Sequence, residues 1–177
     1  MKEEVILVTE MDEPTGTMDK MEAHRKARLH RAFSVFVFNS KGEMLIQQRA
    51  QNKYHSGGLW TNTCCSHPRP GEDTVSAAQR RLKEELGFSV PLQEAFEFIY
   101  KTGFENGLTE HEYDHVFIGT YDGEVTPDRE EVSDYCFKPL EEIRQGMETH
   151  PHQYTEWFKI AFPRLEAFLR PLTQPLA

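Results

Sequence analysis

Residues 73–86 read DTVSAAQRRLKEEL, in which Val75, Ala78, Leu82 and Leu86 recur at three- and four-residue steps. That spacing predicts an amphipathic helix, and Gly87 supplies the usual terminator. The helix stands among segments of a different kind. VILVT (5–9), AFSVFVF (32–38), EMLIQQR (43–49), AFEFIYKT (95–102), TEHEYDHVFIGTYDG (109–123) and VSDYCF (132–137) are β-rich runs. DEPTG reads as the turn ending the first strand, NSKG as the turn of a hairpin joining the second and third, and residues 51–59 as a loop. A short helix at 18–24 and helices over EEIRQGM and TEWFKIAFPRLEAFL complete the set, the last interrupted at Pro163. Mixed strands with few helices imply an α+β fold, a mixed sheet sandwiched between helices.

The chain of 177 residues shows no internal repeat and no long Pro/Gly linker, so residues 1–177 are expected to form one domain. A formal net charge of -9, with acids spread throughout, disfavours nucleic acid and anionic membranes as partners. An anionic small molecule stays open wherever basic residues cluster. Three cysteines, two of them adjacent, make a poor disulfide framework and imply a reducing compartment. MKEEVILVTEMDE lacks the form of a signal peptide and no run reaches membrane-spanning length; a cytoplasmic monomer is the expectation.

The segment TEHEYDHVF carries the first chemical signal. Residues two apart on a strand share a face, so Glu110 and Glu112 project together while His111 and His115 point away. Two close carboxylates need either solvent or a cation, and a lone pair of this kind is most often a solvated strand face. Further ligand candidates are His24 and His30 in AHRKARLH, and His67 beyond Cys65. His24 and His30 share a ligand only if the chain turns between them, because six helical residues rotate by about 240°. Three imidazoles and two carboxylates would suit Mn²⁺, Mg²⁺ or Zn²⁺. On the 73–86 helix, Glu85 either faces a cleft as a cation ligand or forms an ordinary salt bridge with Arg81, four residues earlier.

Residues 66–88 resemble a degenerate Nudix box. Glu72, Arg80, Leu82, Glu84, Glu85 and Gly87 fall in its register, while Ser66 stands where the box has glycine and Arg81 where it has glutamate. WTNTCCSHP at residues 60–68 is similar to the signature of type 1 isopentenyl diphosphate isomerases, enzymes of Nudix fold that do not hydrolyse their substrate. The likeness extends to PTGT, AHRKARLHRAFSVFVFN, RRLKEELG, Tyr100, ENGLTEHEYDH and Trp157, in the same order.

This resemblance implies isomerisation of isopentenyl diphosphate to dimethylallyl diphosphate through a tertiary carbocation, for isoprenoid biosynthesis. It implies Cys65 and Glu112 as the two acid/base groups, Tyr100 as the hydroxyl assisting Glu112, and Trp157 as the aromatic face toward the cation. His24, His30, His67, Glu110 and Glu112 would hold Mn²⁺ or Zn²⁺, and Glu85 a Mg²⁺ bridging to the diphosphate. Lys20, Arg49, Lys53, Arg81 and the backbone around Ser66 would bind the diphosphate. Cys64 and Cys136 match no required role, and His55, His111, His115, His150 and His152 read as structural or surface residues. A Nudix hydrolase, or a non-catalytic metal-binding module, would keep the fold but leave Cys65 without a use.

Overall fold

β3 (His30–Phe38) is the strand to which most of the others are tied. Its alternation sends Phe33, Val35 and Val37 to one face and Phe36 to the other, and each face nucleates its own apolar cluster. The computed structural model describes residues 3–173. Around β3 it places β1 (Glu4–Val8), β2 (Pro14–Asp19), α1 (Lys20–Arg25), β4 (Met44–Arg49), β5 (Trp60–Thr61) and β6 (Cys64–Ser66). The chain continues through α2 (Thr74–Leu86), β7 (Gln93–Gly103), β8 (Thr109–Thr120), β9 (Val132–Lys138), α3 (Leu140–Thr149), a 3₁₀ turn at Pro151–Gln153 and α4 (Glu156–Thr173).

β3 runs parallel to β8 from His30↔Glu112 to Phe38↔Thr120, and its other edge pairs antiparallel with β6 through Ser34↔Cys65. β7 pairs antiparallel with β8, placing Tyr100 opposite Glu112. The sheet is mixed, with α2 against one face and α4 against the other, as the α+β reading requires. Ala77, Ala78, Leu82 and Leu86 of α2 pack on Phe33, Val35 and Phe117. Trp157, Phe158, Ala161, Phe162 and Leu165 of α4 pack on Phe36, Phe98 and Val116.

Three local expectations need correcting. Pro14–Asp19, whose first three residues fall in the expected DEPTG turn and last two in the expected helix at 18–24, is a strand paired with β1 from Glu4↔Asp19 to Val8↔Pro14. The hairpin of β3 and β4 survives only as Phe38↔Met44, because β4 leaves to pair with β9 and β5. α4 also runs unbroken through Pro163. Pro163 lies on the exposed face, where water can satisfy the carbonyl its missing N–H leaves free, while the buried stripe holds the helix together.

α2 is fixed at both ends. The Asp73 side chain accepts from the Ser76 N–H at the start, and Gly87 closes the helix with φ 78° and its N–H on the Lys83 carbonyl. Thr126 and Asp128 donate backbone N–H groups to the Leu86 and Glu85 carbonyls. The approach is close enough that a Cβ at Gly87 would lie 2.6 Å from the Thr126 carbonyl oxygen. Gly87→Ala combines this clash with left-handed strain, and is expected to destabilise the fold by more than about 1 kcal/mol. Urea denaturation checks it, and an unchanged midpoint would contradict the role given to Gly87.

Candidate active site

The register of three strands builds the centre of the site. His30 of β3, Glu112 of β8 and Tyr100 of β7 are neighbours across the sheet. Along β8, Glu110, Glu112 and Asp114 are buried while His111 and Tyr113 are partly exposed. His111 points away to the Ala27 carbonyl, and His115 to Asp12 and Glu94. The strand-parity argument therefore holds, but the face is buried and not solvated.

The chain does turn between His24 and His30. α1 ends at Arg25, Ala27 adopts φ 53°, and the two rings come to 5.2 Å between centroids. His24 Nδ1 donates to the Lys20 carbonyl at 2.7 Å and His30 Nδ1 to the Arg28 carbonyl at 2.8 Å. Each ring therefore presents Nε2 inward as a lone pair, and neither Nε2 has a hydrogen-bond partner. His30 Nε2 lies 3.3 Å and His67 Nε2 2.7 Å from Glu112 Oε2, while His24 Nε2 lies 3.9 Å from Glu110 Oε2. His24, His30, His67 and Glu112 bring their ligand atoms within 4.8 Å of one another.

Orphaned buried imidazole nitrogens facing buried carboxylates are the donor set of a divalent metal site. Burial by itself would raise both carboxylates. His30 and His67 nevertheless hold Glu112 well below the usual range, and His24 and His55 lower Glu110. Burial dominates at His67 and lowers it to about 4, so this ring is neutral at pH 7. Tyr100 sits against the remaining oxygens, donating to Glu112 Oε1 and lying 3.0 Å from Glu110 Oε1. Burial and the two carboxylate charges push the phenol well up, so it stays a donor.

Cys65 enters from β6, on the other edge of β3. Its thiol donates to Asn62 Oδ1 at 3.0 Å and lies 3.5 Å from Ser34 Oγ, whose own proton goes to Asp114 Oδ2 at 2.6 Å. The Asn62 amide is fixed because its Nδ2 donates to the Val35 and Cys64 carbonyls. Burial, then the Asp114 charge, push the Cys65 thiol up, so it is protonated at neutral pH. Adjacent Cys64 points into the apolar cluster on the other face, fully buried, as strand alternation demands. Cys64, Cys65 and Cys136 are all free.

A cavity of about 560 Å³ joins these groups to a basic rim. Lys20, Arg49, Lys53, Ser66, Arg81, Glu85 and Trp157 all line it, as do Cys65, His67, Tyr100, Glu110 and Glu112. The rim cations are held by acids: Lys20 by Glu3 at 2.7 Å, Lys53 by Glu131 at 2.5 Å, and Arg81 by Glu85 at 2.7 Å and Glu131 at 3.5 Å. Both readings of Arg81 thus coexist, a salt bridge to Glu85 and a cavity-lining charge. Glu85 spends one hydrogen bond on each oxygen, to Gln47 and to Arg81, which leaves lone pairs toward the cavity. The Arg49 guanidinium lies 5.0 Å from the Trp157 ring centroid, so this indole already faces a cation.

One residue given no role in the chemistry also lines the site. His55, read as structural or surface, is buried at the cavity wall with Nε2 3.2 Å from Glu110 Oε2. Its loop is folded tightly under β4: a Cβ at Gly57 would lie 2.4 Å from the Gln51 carbonyl oxygen. Loop folding carries no periodic signal, and a histidine in a Gly-rich loop beside WTN was the remaining clue. Ser34, Asn62 and Asp114 were missed for a similar reason, since hydrogen bonds to Cys65 and between these partners have no sequence spacing.

Comparison with known proteins agrees with this geometry. The NUDIX domain model matches residues 28–158. An isopentenyl-diphosphate Delta-isomerase of Pectobacterium atrosepticum is 52% identical over 164 residues, covering 92% of this chain and 90% of that protein. One of Burkholderia multivorans is 48% identical, covering 93% of each. Among solved structures, the Deinococcus radiodurans protein DR0079 superposes with a TM-score of 0.76 at 20% identity, over 92% of this chain and 98% of that one. A MutT protein from Methanosarcina mazei gives 0.66 at 22%, over 82% and 96%. At these identities the two structures speak for the fold, whereas the sequence relatives speak for the family: the chain belongs to the isopentenyl-diphosphate Delta-isomerases, on a NUDIX fold.

Proposed function

We infer that the protein converts isopentenyl diphosphate to dimethylallyl diphosphate, supplying isoprenoid biosynthesis. The observation that carries this reading is a partly buried thiol, Cys65, and a buried carboxylate, Glu112, lining one cavity with a basic rim, the thiol's pKa pushed up by burial and the carboxylate's held down. The reaction adds a proton to the terminal alkene carbon, places positive charge on the tertiary carbon, and removes a proton from the carbon on its other side. One group must hold a proton and the other must accept one, and Cys65 and Glu112 differ in this way. Tyr100 supports Glu112, donating to its carboxylate and remaining protonated throughout. Trp157 offers an aromatic face to the cation, where a desolvated contact contributes about 2 kcal/mol. Enclosure excludes water, which would otherwise capture the carbocation.

His24, His30, His67, Glu110 and Glu112 would hold Mn²⁺ or Zn²⁺, and Glu85 a Mg²⁺ shared with the diphosphate. The chemistry they supply is fixed positive charge, which keeps the buried carboxylates ionised and neutralises the diphosphate. Lys20, Arg49, Lys53, Arg81 and the backbone at Ser66 bind the diphosphate and orient the alkene between the acid/base groups. Among the described residues no helix is long and apolar enough to cross a membrane. A soluble cytoplasmic enzyme, active as a monomer, is the reading we adopt.

The reaction itself gives the first test. In D₂O with isopentenyl diphosphate and Mg²⁺, the product should be dimethylallyl diphosphate with deuterium on carbon and no released phosphate. Cys65→Ala should lower the rate by about 10²–10⁴ or more while leaving metal content unchanged. Phosphate release without carbon-bound deuterium would return the chain to hydrolase chemistry.

Metal content separates the two faces of β8. Glu110→Ala or His67→Ala should weaken Mn²⁺ or Zn²⁺ binding by at least about 10–100-fold, while His111→Ala retains it. Elemental analysis after dialysis decides, and equal loss from His111→Ala would refute the assignment.

Arg81→Gln removes one rim charge without adding another carboxylate beside Glu84, Glu85 and Glu131. A diphosphate analogue should bind at least about tenfold more weakly, from loss of a charge-assisted hydrogen bond of about 1.5–3 kcal/mol. Unchanged affinity by calorimetry would leave Arg81 as a support for Glu85 alone.

A further inference from the structure

We propose that His55 is a further metal ligand, so that one ion is held by four imidazoles, from His24, His30, His55 and His67, and two carboxylates, from Glu110 and Glu112. His55 Nε2 has no hydrogen-bond partner although it lies 3.2 Å from Glu110 Oε2. The other ring nitrogen, Nδ1, is engaged with Ser56 Oγ at 3.1 Å. An imidazole with its proton on Nδ1 turns an Nε2 lone pair toward the carboxylate lone pairs. In that tautomer two acceptors so close and so buried call for a cation between them, whereas with its proton on Nε2 the ring would donate to Glu110 instead.

The donors fall into two overlapping groups, His24 with His30, His67 and Glu112, and His24 with His55 and Glu110, each with its ligand atoms within 4.8 Å of one another. His24 belongs to both, yet its Nδ1 is committed to the Lys20 carbonyl. Only Nε2 remains, and one lone pair serves one ion, so an ion shared by the two groups is held at His24 Nε2. The other donors close on it only if their side chains draw together, since the two groups do not form one set within 4.8 Å. Glu110 and Glu112 give their Oε1 atoms to Tyr100 and turn their Oε2 atoms to the imidazoles. That makes six donors, the octahedral number. Neighbouring donors about 2.1 Å from an ion in that geometry lie about 3 Å apart. The separations of 3.2 Å for His55–Glu110, 3.3 Å for His30–Glu112 and 2.7 Å for His67–Glu112 are near that edge, and the 3.9 Å for His24–Glu110 is longer.

The ring is held for this task. It stacks on Phe104 with centroids 4.3 Å apart and meets Trp157 edge-on at 5.4 Å, while its carbonyl accepts from Arg49 at 3.2 Å. His55 thereby links the metal-binding side of the cavity to the aromatic and basic wall that faces substrate.

The inference rests on the reading that the His/Glu cluster binds a divalent ion, and the experiment separates the two. Full-length protein stripped of metal is titrated with Mn²⁺ by calorimetry, as wild type, His55→Ala and His55→Phe, the last keeping the stack on Phe104 without a ligand atom. Both variants should bind Mn²⁺ at least about 10–100-fold more weakly than wild type. Wild-type affinity in His55→Phe would show that the ring only packs, and would overturn the proposal. Failure of the wild type itself to bind Mn²⁺ would instead overturn the metal reading on which it rests. Should neither variant fold, pulsed EPR of the wild-type Mn²⁺ protein counts imidazole nitrogens directly: four couplings support the proposal and three reject it.

Discussion

Glu110 and Glu112 are buried side by side on one face of β8, and the site is arranged around that electrostatic problem. Burial and mutual repulsion both oppose ionisation of such a pair, and the usual outcome is that one carboxylate takes up a proton. Here the imidazoles lower both pKa values in spite of burial where their inward nitrogens carry protons, and a cation held by their lone pairs would do the same. The Tyr100 hydroxyl donates from the other side. Asp114, two residues on and equally buried, has no such help. Burial and the Glu112 charge push its pKa well up, and one of its oxygens has no partner. The contrast between three acids on one strand face shows what the imidazole cluster contributes.

Much of this was legible in the sequence because it followed from periodicity. The two-residue alternation put Glu110 and Glu112 on one face and His111 and His115 on the other, and the three- and four-residue steps found α2 with its glycine stop. The required turn between His24 and His30 was also deducible, since a continuous helix could not join them. What stayed hidden depends on tertiary contacts. NSKG looks the same whether its strands stay paired or diverge after Phe38↔Met44, because divergence is decided by the competing partners β8 and β9. Pro163 marks a break only if nothing else holds α4, and the buried stripe from Trp157 to Leu165 does. His55 reaches Glu110 through a folded loop, for which spacing offers no rule.

The resemblance to the isomerases assigned roles that geometry then had to accommodate. Cys64 and Cys65 differ by one residue and point to opposite faces of the sheet, so the same short strand supplies one core thiol and one cavity thiol. Trp157 reads equally as a core residue of α4 and as a cavity wall. It is both, packed in the cluster of Phe158 and Phe162 while its ring faces Arg49.

A NUDIX fold that hydrolyses diphosphates and one that moves a double bond differ less in scaffold than in what the helix offers the cleft. Where the box has a metal-binding glutamate, this chain has Arg81, a cation that neutralises Glu85 and Glu131 and still lines the cavity. Exchanging an acid for a guanidinium reduces the carboxylates available to hold metal over a diphosphate, and offers a cation that would suit its oxygens. On the proposed reading the diphosphate is a handle, and proton transfer belongs deeper in the cavity. There, partly buried Cys65 keeps its proton chiefly because its desolvated surroundings disfavour a thiolate. Its thiol donates to the Asn62 amide oxygen, with the Ser34 hydroxyl, its own hydrogen committed to Asp114, 3.5 Å away. A nucleophilic cysteine needs the opposite surroundings, with donors or cations that stabilise the thiolate. Desolvation, with no cation beside the sulfur among the described residues, therefore favours a proton-carrying thiol over a covalent catalyst at Cys65.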